Sequence, residues 1–115
     1  MELLMIVLNR QEYFEKVLTL LVDAGVSGAT VVDSQGLGQI LAYDIPIFAG
    51  LRQFIGERRS ASRTIFAVLE NGQLLSKINR FLHQEGIDFT QAGVGIMVTL
   101  PVNEFIRPDK EIING

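Results

Sequence analysis

The chain has 115 residues, 48% of them hydrophobic and 20% charged, which fits one globular domain and leaves no room for a second. Its net charge of −3 excludes a global field attractive to nucleic acid or anionic membranes, and with no cysteine it has no disulfides, Cys-based zinc site or thiol chemistry. The N-terminus is apolar but short and lacks a basic leader region, so it reads as a buried strand rather than a signal peptide, and the protein as soluble and cytoplasmic.

Leu3 to Leu8 is a continuous apolar run, as in a strand central to a sheet. Asn9 and Glu12 have capping-box spacing, and Phe14, Val17, Leu18 and Leu21 follow at helical spacing, with Tyr13 and Val22 flanking the stripe. Gly25 stands where a helix end needs a left-handed residue. Ala29 to Val32 is β-branched and apolar, and Asp33 to Gln35 extends it as a second strand. Gly36 and Gly38 read as a hinge into a long insertion over about residues 39–63. That insertion is rich in large apolar residues, with Pro46, Gly50 and Gly56 punctuating it and a short helix expected near Leu51 to Ile55. So much apolar surface must pack on its own domain, on another subunit, or on a docked partner.

Thr64 to Leu69 reads as the third strand. Asn71-Gly72 opens a second helix with Leu74, Leu75, Ile78, Phe81 and Leu82 as its stripe, closed by Glu85-Gly86. A glycine-bearing connection over Ile87–Gly95 leads to a fourth strand, Ile96 to Leu100, stopped by Pro101. In the tail Pro108 breaks any long element, while Ile112 and Ile113 offer an edge pairing. The order β-α-β, β-α-β is the split βαβ, ferredoxin-like plan of an α+β sandwich: residues 1–115 as one domain, with two helices on one face of a four-stranded antiparallel sheet. The strands are apolar on both sides, so the bare face is expected to meet other subunits.

Catalytic chemistry finds no foothold in these residues. His83 is the only histidine and has no second imidazole with which to hold a metal, and Glu12/Glu15 and Glu104/Asp109 are spaced as solvated faces. No nucleophile motif or phosphate-loop motif is present; Gly93-Val94-Gly95 precedes a strand rather than opening a helix. An enzyme on this fold would need a polar pocket on the sheet face, which the apolar strands do not offer. Arg58, Arg59 and Arg63 form a local basic cluster, either an exposed loop end or a contact for phosphate or an acidic partner.

The stretch Gly25-Val26-Ser27-Gly28-Ala29-Thr30-Val31-Val32-Asp33-Ser34-Gln35-Gly36-Leu37-Gly38 resembles, without a gap, the pattern after the first helix in the nitrogen regulatory P-II signalling superfamily. Gly93 to Val102 is similar to that family's B-loop and last strand. The resemblance implies a non-enzymatic ferredoxin-like homotrimer that requires no cofactor and binds an effector, such as an adenine nucleotide, between subunits. It also implies a long T-loop that docks on a transporter or enzyme, in nitrogen or related metabolism, so that the protein meets a membrane only indirectly, through such a partner. Carried over by position, the effector side comprises Thr30, Gly36, Leu37, Gly38, the B-loop glycines Gly93 and Gly95, and Arg107. The partner-binding loop comprises Tyr43, Ile45, Phe48, Leu51, Arg52, Phe54, Arg58 and Arg59, with Tyr43 not in the family's modification context.

The family's B-loop aspartate is replaced by Val94, its phosphate-binding lysine by Ile96, and its second C-terminal arginine by Asp109. The T-loop glutamine position holds Ile40, with Gln39 one place earlier. Each lost cation removes charge-assisted bonds worth roughly 1.5–3 kcal/mol, so the pattern implies a less charged ligand than a triphosphate, a monophosphate or cyclic nucleotide for example. The alternative is an interaction scaffold, a trimer on the same fold that has lost its ligand.

Overall fold

The alternation of side chains along β1 (Glu2–Leu8) divides the molecule into two faces. Leu4, Ile6 and Leu8 are fully buried, whereas Leu3, Met5 and Val7 point the other way and are only half-buried. In the computed structural model the described residues are 1–26, 28–51, 62–70, 74–108 and 110–114. β2 (Thr30–Ser34), β3 (Ser62–Leu69) and β4 (Gly95–Pro101) join β1 in an antiparallel sheet of order β2-β3-β1-β4. That is the ferredoxin-like order expected from the sequence.

A short 3-10 turn (Gln11–Tyr13) leads into α1 (Phe14–Asp23). Val17 and Leu21 from α1 and Ile78 and Leu82 from the later helix α3 (Leu74–Gln84) close over Leu4, Ile6, Leu8, Ile65 and Leu69 to form the core. Phe14, Leu18, Leu74, Leu75 and Phe81 pack around it, as their spacing foretold, while Val22 faces solvent.

The two helices end alike. Gly25 (φ 92°) donates its N–H to the Val22 carbonyl, and the Val26 N–H returns to Leu21. Gly86 (φ 83°) and Ile87 repeat this with His83 and Leu82. Each is a Schellman cap, and in each the apolar pair that closes it, Leu21 with Val26 and Leu82 with Ile87, is buried. The start of the first helix departs from expectation. The capping box does not form, because the Asn9 N–H that Glu12 would have to accept is bonded to the Val94 carbonyl at 2.9 Å.

Two further differences concern the insertion and the tail. Gly36 is an extended N-cap (φ −72°) and Gly38 lies inside α2 (Leu37–Asp44), so neither acts as a left-handed hinge. A 3-10 segment, Pro46–Leu51, follows, so helical structure begins directly after β2. Residues 52–55 of the helix expected near Leu51 to Ile55, and Asn71-Gly72 at the expected start of α3, lie outside the described residues. In the tail, β5 (Glu104–Arg107) and β6 (Lys110–Asn114) form their own hairpin, with Ile113 opposite Phe105, instead of adding a strand to the main sheet. Among the described residues no helix is long and apolar enough to cross a membrane.

The glycines differ in what they tolerate. A Cβ on Gly86 would meet no atom within 4 Å, so Gly86→Ala carries only the left-handed backbone penalty, about 1–2 kcal/mol. A Cβ on Gly95 (φ 144°) would lie 2.0 Å from the Val7 carbonyl oxygen. Gly95→Ala is therefore expected to cost clearly more than Gly86→Ala in urea denaturation, because it must part β4 from β1.

Candidate functional site

The face of the sheet away from the helices carries Leu3, Met5 and Val7 from β1, Phe66 and Val68 from β3, and Ile96, Val98 and Leu100 from β4, all placed there by register. None of these is fully buried, and Ile96 and Leu100 are about half exposed. This is the bare apolar face anticipated from the strands.

At one end of that face the C-terminal hairpin builds a concavity of about 470 Å³, walled by Leu3, Phe66 and Val68, with Thr30, Phe105 and Arg107 at its rim. The Arg107 guanidinium lies 5.7 Å from the centre of the Phe105 ring and forms an ion pair with Glu70 at 2.6 Å. Aromatic and aliphatic walls with one cation and one hydroxyl can accept a flat ring and an anionic group. The structure thus brings together Thr30 and Arg107, two of the residues singled out in the sequence. Glu70, the partner that holds Arg107, carried no sequence signal beyond being an acidic residue at a strand end.

The remaining candidates lie elsewhere. Gly36, Leu37 and Gly38 line none of the described concavities, although Ile40 joins Asp33, Ser34 and Gln35 around a depression beside them. Gly93 and Gly95 are at the opposite edge of the sheet, where Gly95 borders a groove of about 420 Å³ between α3 and β4. The close approach to Val7 is reason enough for glycine at position 95. Val94, at the family's aspartate position, is 1% exposed and belongs to the core, whereas Ile96 points outward from the bare face.

Of the loop residues, Ile45 is exposed; Tyr43 lies in α2, and Phe48 and Leu51 in the 3-10 segment. Arg52, Phe54, Arg58 and Arg59 lie outside the described residues, as does Asp109. Of the basic cluster Arg58, Arg59 and Arg63, Arg63 alone is among the described residues. It sits 4.3 Å over the Phe14 ring and 3.7 Å from Asp33, its cross-strand partner, on the helix side. At the root of the insertion Ser34 shares hydrogen bonds with Ser62 (2.7 Å) and Thr64 (2.8 Å), a hydroxyl cluster that sequence reading missed because it exists only once the strands are in register.

No family model matches the chain, and comparison with curated proteins finds no match. Solved structures do match. CPII from Thiomonas intermedia K12 bound to ADP, AMP and acetate superposes with TM-score 0.55 at 21% identity, covering 85% of this chain and 81% of that one. The apo form of the same protein, described as nitrogen regulatory PII-like, gives 0.54 at 22%, covering 86% and 85%. The fold is that of the PII-like proteins, as the sequence resemblance implied.

Asp88 opens the turn that leads to Gly93. Its Oδ1 accepts the Thr90 hydroxyl at 2.6 Å and the Thr90 N–H at 2.9 Å, and these bonds, with a smaller contribution from His83, hold the carboxyl below its ordinary pKa. A carboxylate with a lowered folded-state pKa stabilises above its unfolded value, about 3.9, and loses that contribution as the pH falls through the folded value. Asp88→Asn is therefore expected to flatten the acid limb of a stability-against-pH curve measured by urea denaturation, leaving the limb above pH 5 parallel to wild type.

Proposed function

We propose that this chain is a PII-like, non-catalytic regulatory protein. It acts as a homotrimer that binds an adenine nucleotide between subunits and controls a transporter or enzyme through its 39–63 insertion. The observation that carries this reading is the Thr30–Arg107 concavity, set on the bare apolar face of a PII-like fold. The ADP and AMP held by CPII, a protein of the same fold, support the choice of ligand.

Sheet geometry supports a site shared by chains. Thr30 aligns through Phe66 and Met5 with Val98, so it lies three strand spacings from β4 and three residues along from Gly95. At ~4.8 Å per strand and ~3.3 Å per residue the two are roughly 17 Å apart, at opposite edges of the sheet. Apposing bare faces from neighbouring subunits gives a way to bring the β2 edge of one chain beside the β4 edge of the next. Such burial also removes exposed apolar surface, that of Ile96 and Leu100 included.

A second reading, the ligand-free scaffold, is favoured by the Arg107–Glu70 ion pair, which already satisfies the cation at the rim.

Thermal unfolding against ATP, ADP, AMP, cyclic mono- and dinucleotides and 2-oxoglutarate separates the two readings. A ligand at one hundred times its Kd adds about 2.7 kcal/mol, so at least one adenine nucleotide is expected to raise Tm by several degrees. A flat panel favours the scaffold. Arg107→Ala is expected to weaken the responding phosphate ligand about tenfold or more in calorimetry, and unchanged affinity would remove Arg107 from the site.

The oligomer has its own test. Val98→Glu places a carboxylate on the bare face beside Met5 at little cost to an isolated chain. Sedimentation is expected to show a wild-type trimer and a V98E monomer with unchanged far-UV circular dichroism.

A further inference from the structure

The cation at the rim of the Thr30–Arg107 concavity comes with a carboxylate of the chain's own. Arg107 Nη1 and Glu70 Oε1 are 2.6 Å apart, whereas Arg10–Glu12, Lys16–Glu85 and Arg63–Asp33 are 3.5–3.8 Å apart. The Arg107 side chain is 22% exposed and that of Glu70 51%, so water screens this pair only in part. Main-chain geometry sets it up. Glu70 directly follows β3, whose last residue, Leu69, pairs with Glu2. The Val102 N–H donates to the Met1 carbonyl at 3.1 Å, so the approach to the C-terminal hairpin is tied to the same end of the sheet.

Glu70 does not line the concavity, so it meets the guanidinium without filling the space a ligand would take. Among the described residues that do line it, Arg107 is the one with a charge; the others are apolar, apart from the Thr30 hydroxyl. Arg107 and Glu70 together carry no net charge. A first phosphoryl group can share the guanidinium with Glu70, because a planar guanidinium has donors on more than one side. Each further negative charge on the ligand finds no cation there and faces the carboxylate.

We infer that Glu70 is a specificity-determining residue: by offsetting Arg107 it makes the concavity favour a nucleoside monophosphate over the di- and triphosphate. This rests on the nucleotide reading above and adds a charge selection to it. The selection comes from a residue outside the pocket walls, so it can be removed without changing the surface that meets the ring.

The test is calorimetry of the full chain with adenosine, AMP, ADP and ATP in magnesium-free buffer, because a bound divalent cation would cancel the phosphate charge. The wild-type protein is expected to bind AMP more tightly than ATP. Glu70→Gln is expected to raise ATP affinity about tenfold or more, ADP affinity less and AMP affinity least, with adenosine unchanged. The gain should shrink as salt is added, a dependence that a purely structural role would not produce. Three results would overturn the assignment while leaving the nucleotide reading intact. They are tighter binding of ATP than AMP by wild type, an E70Q protein with the wild-type ratio of AMP to ATP affinity, and a loss for all three nucleotides in E70Q, which would make Glu70 a support for Arg107 only. The first needs no variant, so the assignment stays open to refutation even if E70Q does not fold. A flat panel in both proteins would overturn both readings.

Discussion

The constraint on which the molecule depends is that its sheet is apolar on both faces and has helices for only one. On the covered side, burying Leu4, Ile6, Leu8, Ile65 and Leu69 beneath α1 and α3 contributes roughly 1.5–3 kcal/mol per side chain, enough to fix strand register throughout. A one-residue slip would carry that whole set to the other face. The uncovered side has the same chemistry without the cover, and Ile96, Leu100 and Val32 remain exposed. The surface that defines the possible function is thus left over from the requirement that β1 and β3 alternate.

The glycines show how little of a motif's meaning is carried by residue type alone. Gly25 and Gly86 are left-handed and end helices, and Gly95 is needed because the Val7 carbonyl would collide with any Cβ. Gly36 and Gly38, in the most family-like stretch of the sequence, have no positive φ, and a Cβ on Gly36 would meet no atom within 4 Å. Val94 makes the same point from the apolar side, because at the position where the family pattern has an aspartate this chain has a residue buried in the core. A turn can keep its shape for packing after its chemistry has changed.

The fold was legible because its signals are local and repeated. Continuous apolar and β-branched runs gave the strands, 3.6-period stripes gave α1 and α3, and the glycine stops gave both Schellman caps. The capping box at Asn9 misled because the same amide had a tertiary partner, Val94, eighty-five positions along the chain in sequence numbering. The helix at Leu37–Asp44 was hidden by Gly36 and Gly38, residues of poor helix propensity that read as a hinge. The hairpin at the C-terminus was half-seen: Ile113 does pair, but with Phe105. Of the concavity, Thr30 and Arg107 were singled out in the sequence, while Glu70 was not. Its pairing with Arg107 is a contact between elements distant in sequence, for which no periodicity gives a sign.

The insertion and the concavity share a strand, and this is where regulation would act. β2 begins at Thr30, on the concavity, and ends at Ser34, whose hydroxyl bonds to Ser62 and Thr64 at the root of the insertion. The whole strand is only five residues long, with β3 paired alongside throughout. A ligand that pulled on Thr30 would therefore act on a strand whose far end holds the base of α2. Whether it shifts the insertion depends on its binding two arrangements of that base unequally, since equal affinity moves no population. The buried hydroxyl cluster is a natural location for such a difference. Its members exchange donor and acceptor roles at little cost, whereas breaking their bonds while they stay buried costs about 1–3 kcal/mol per group, a gap a bound nucleotide can overcome.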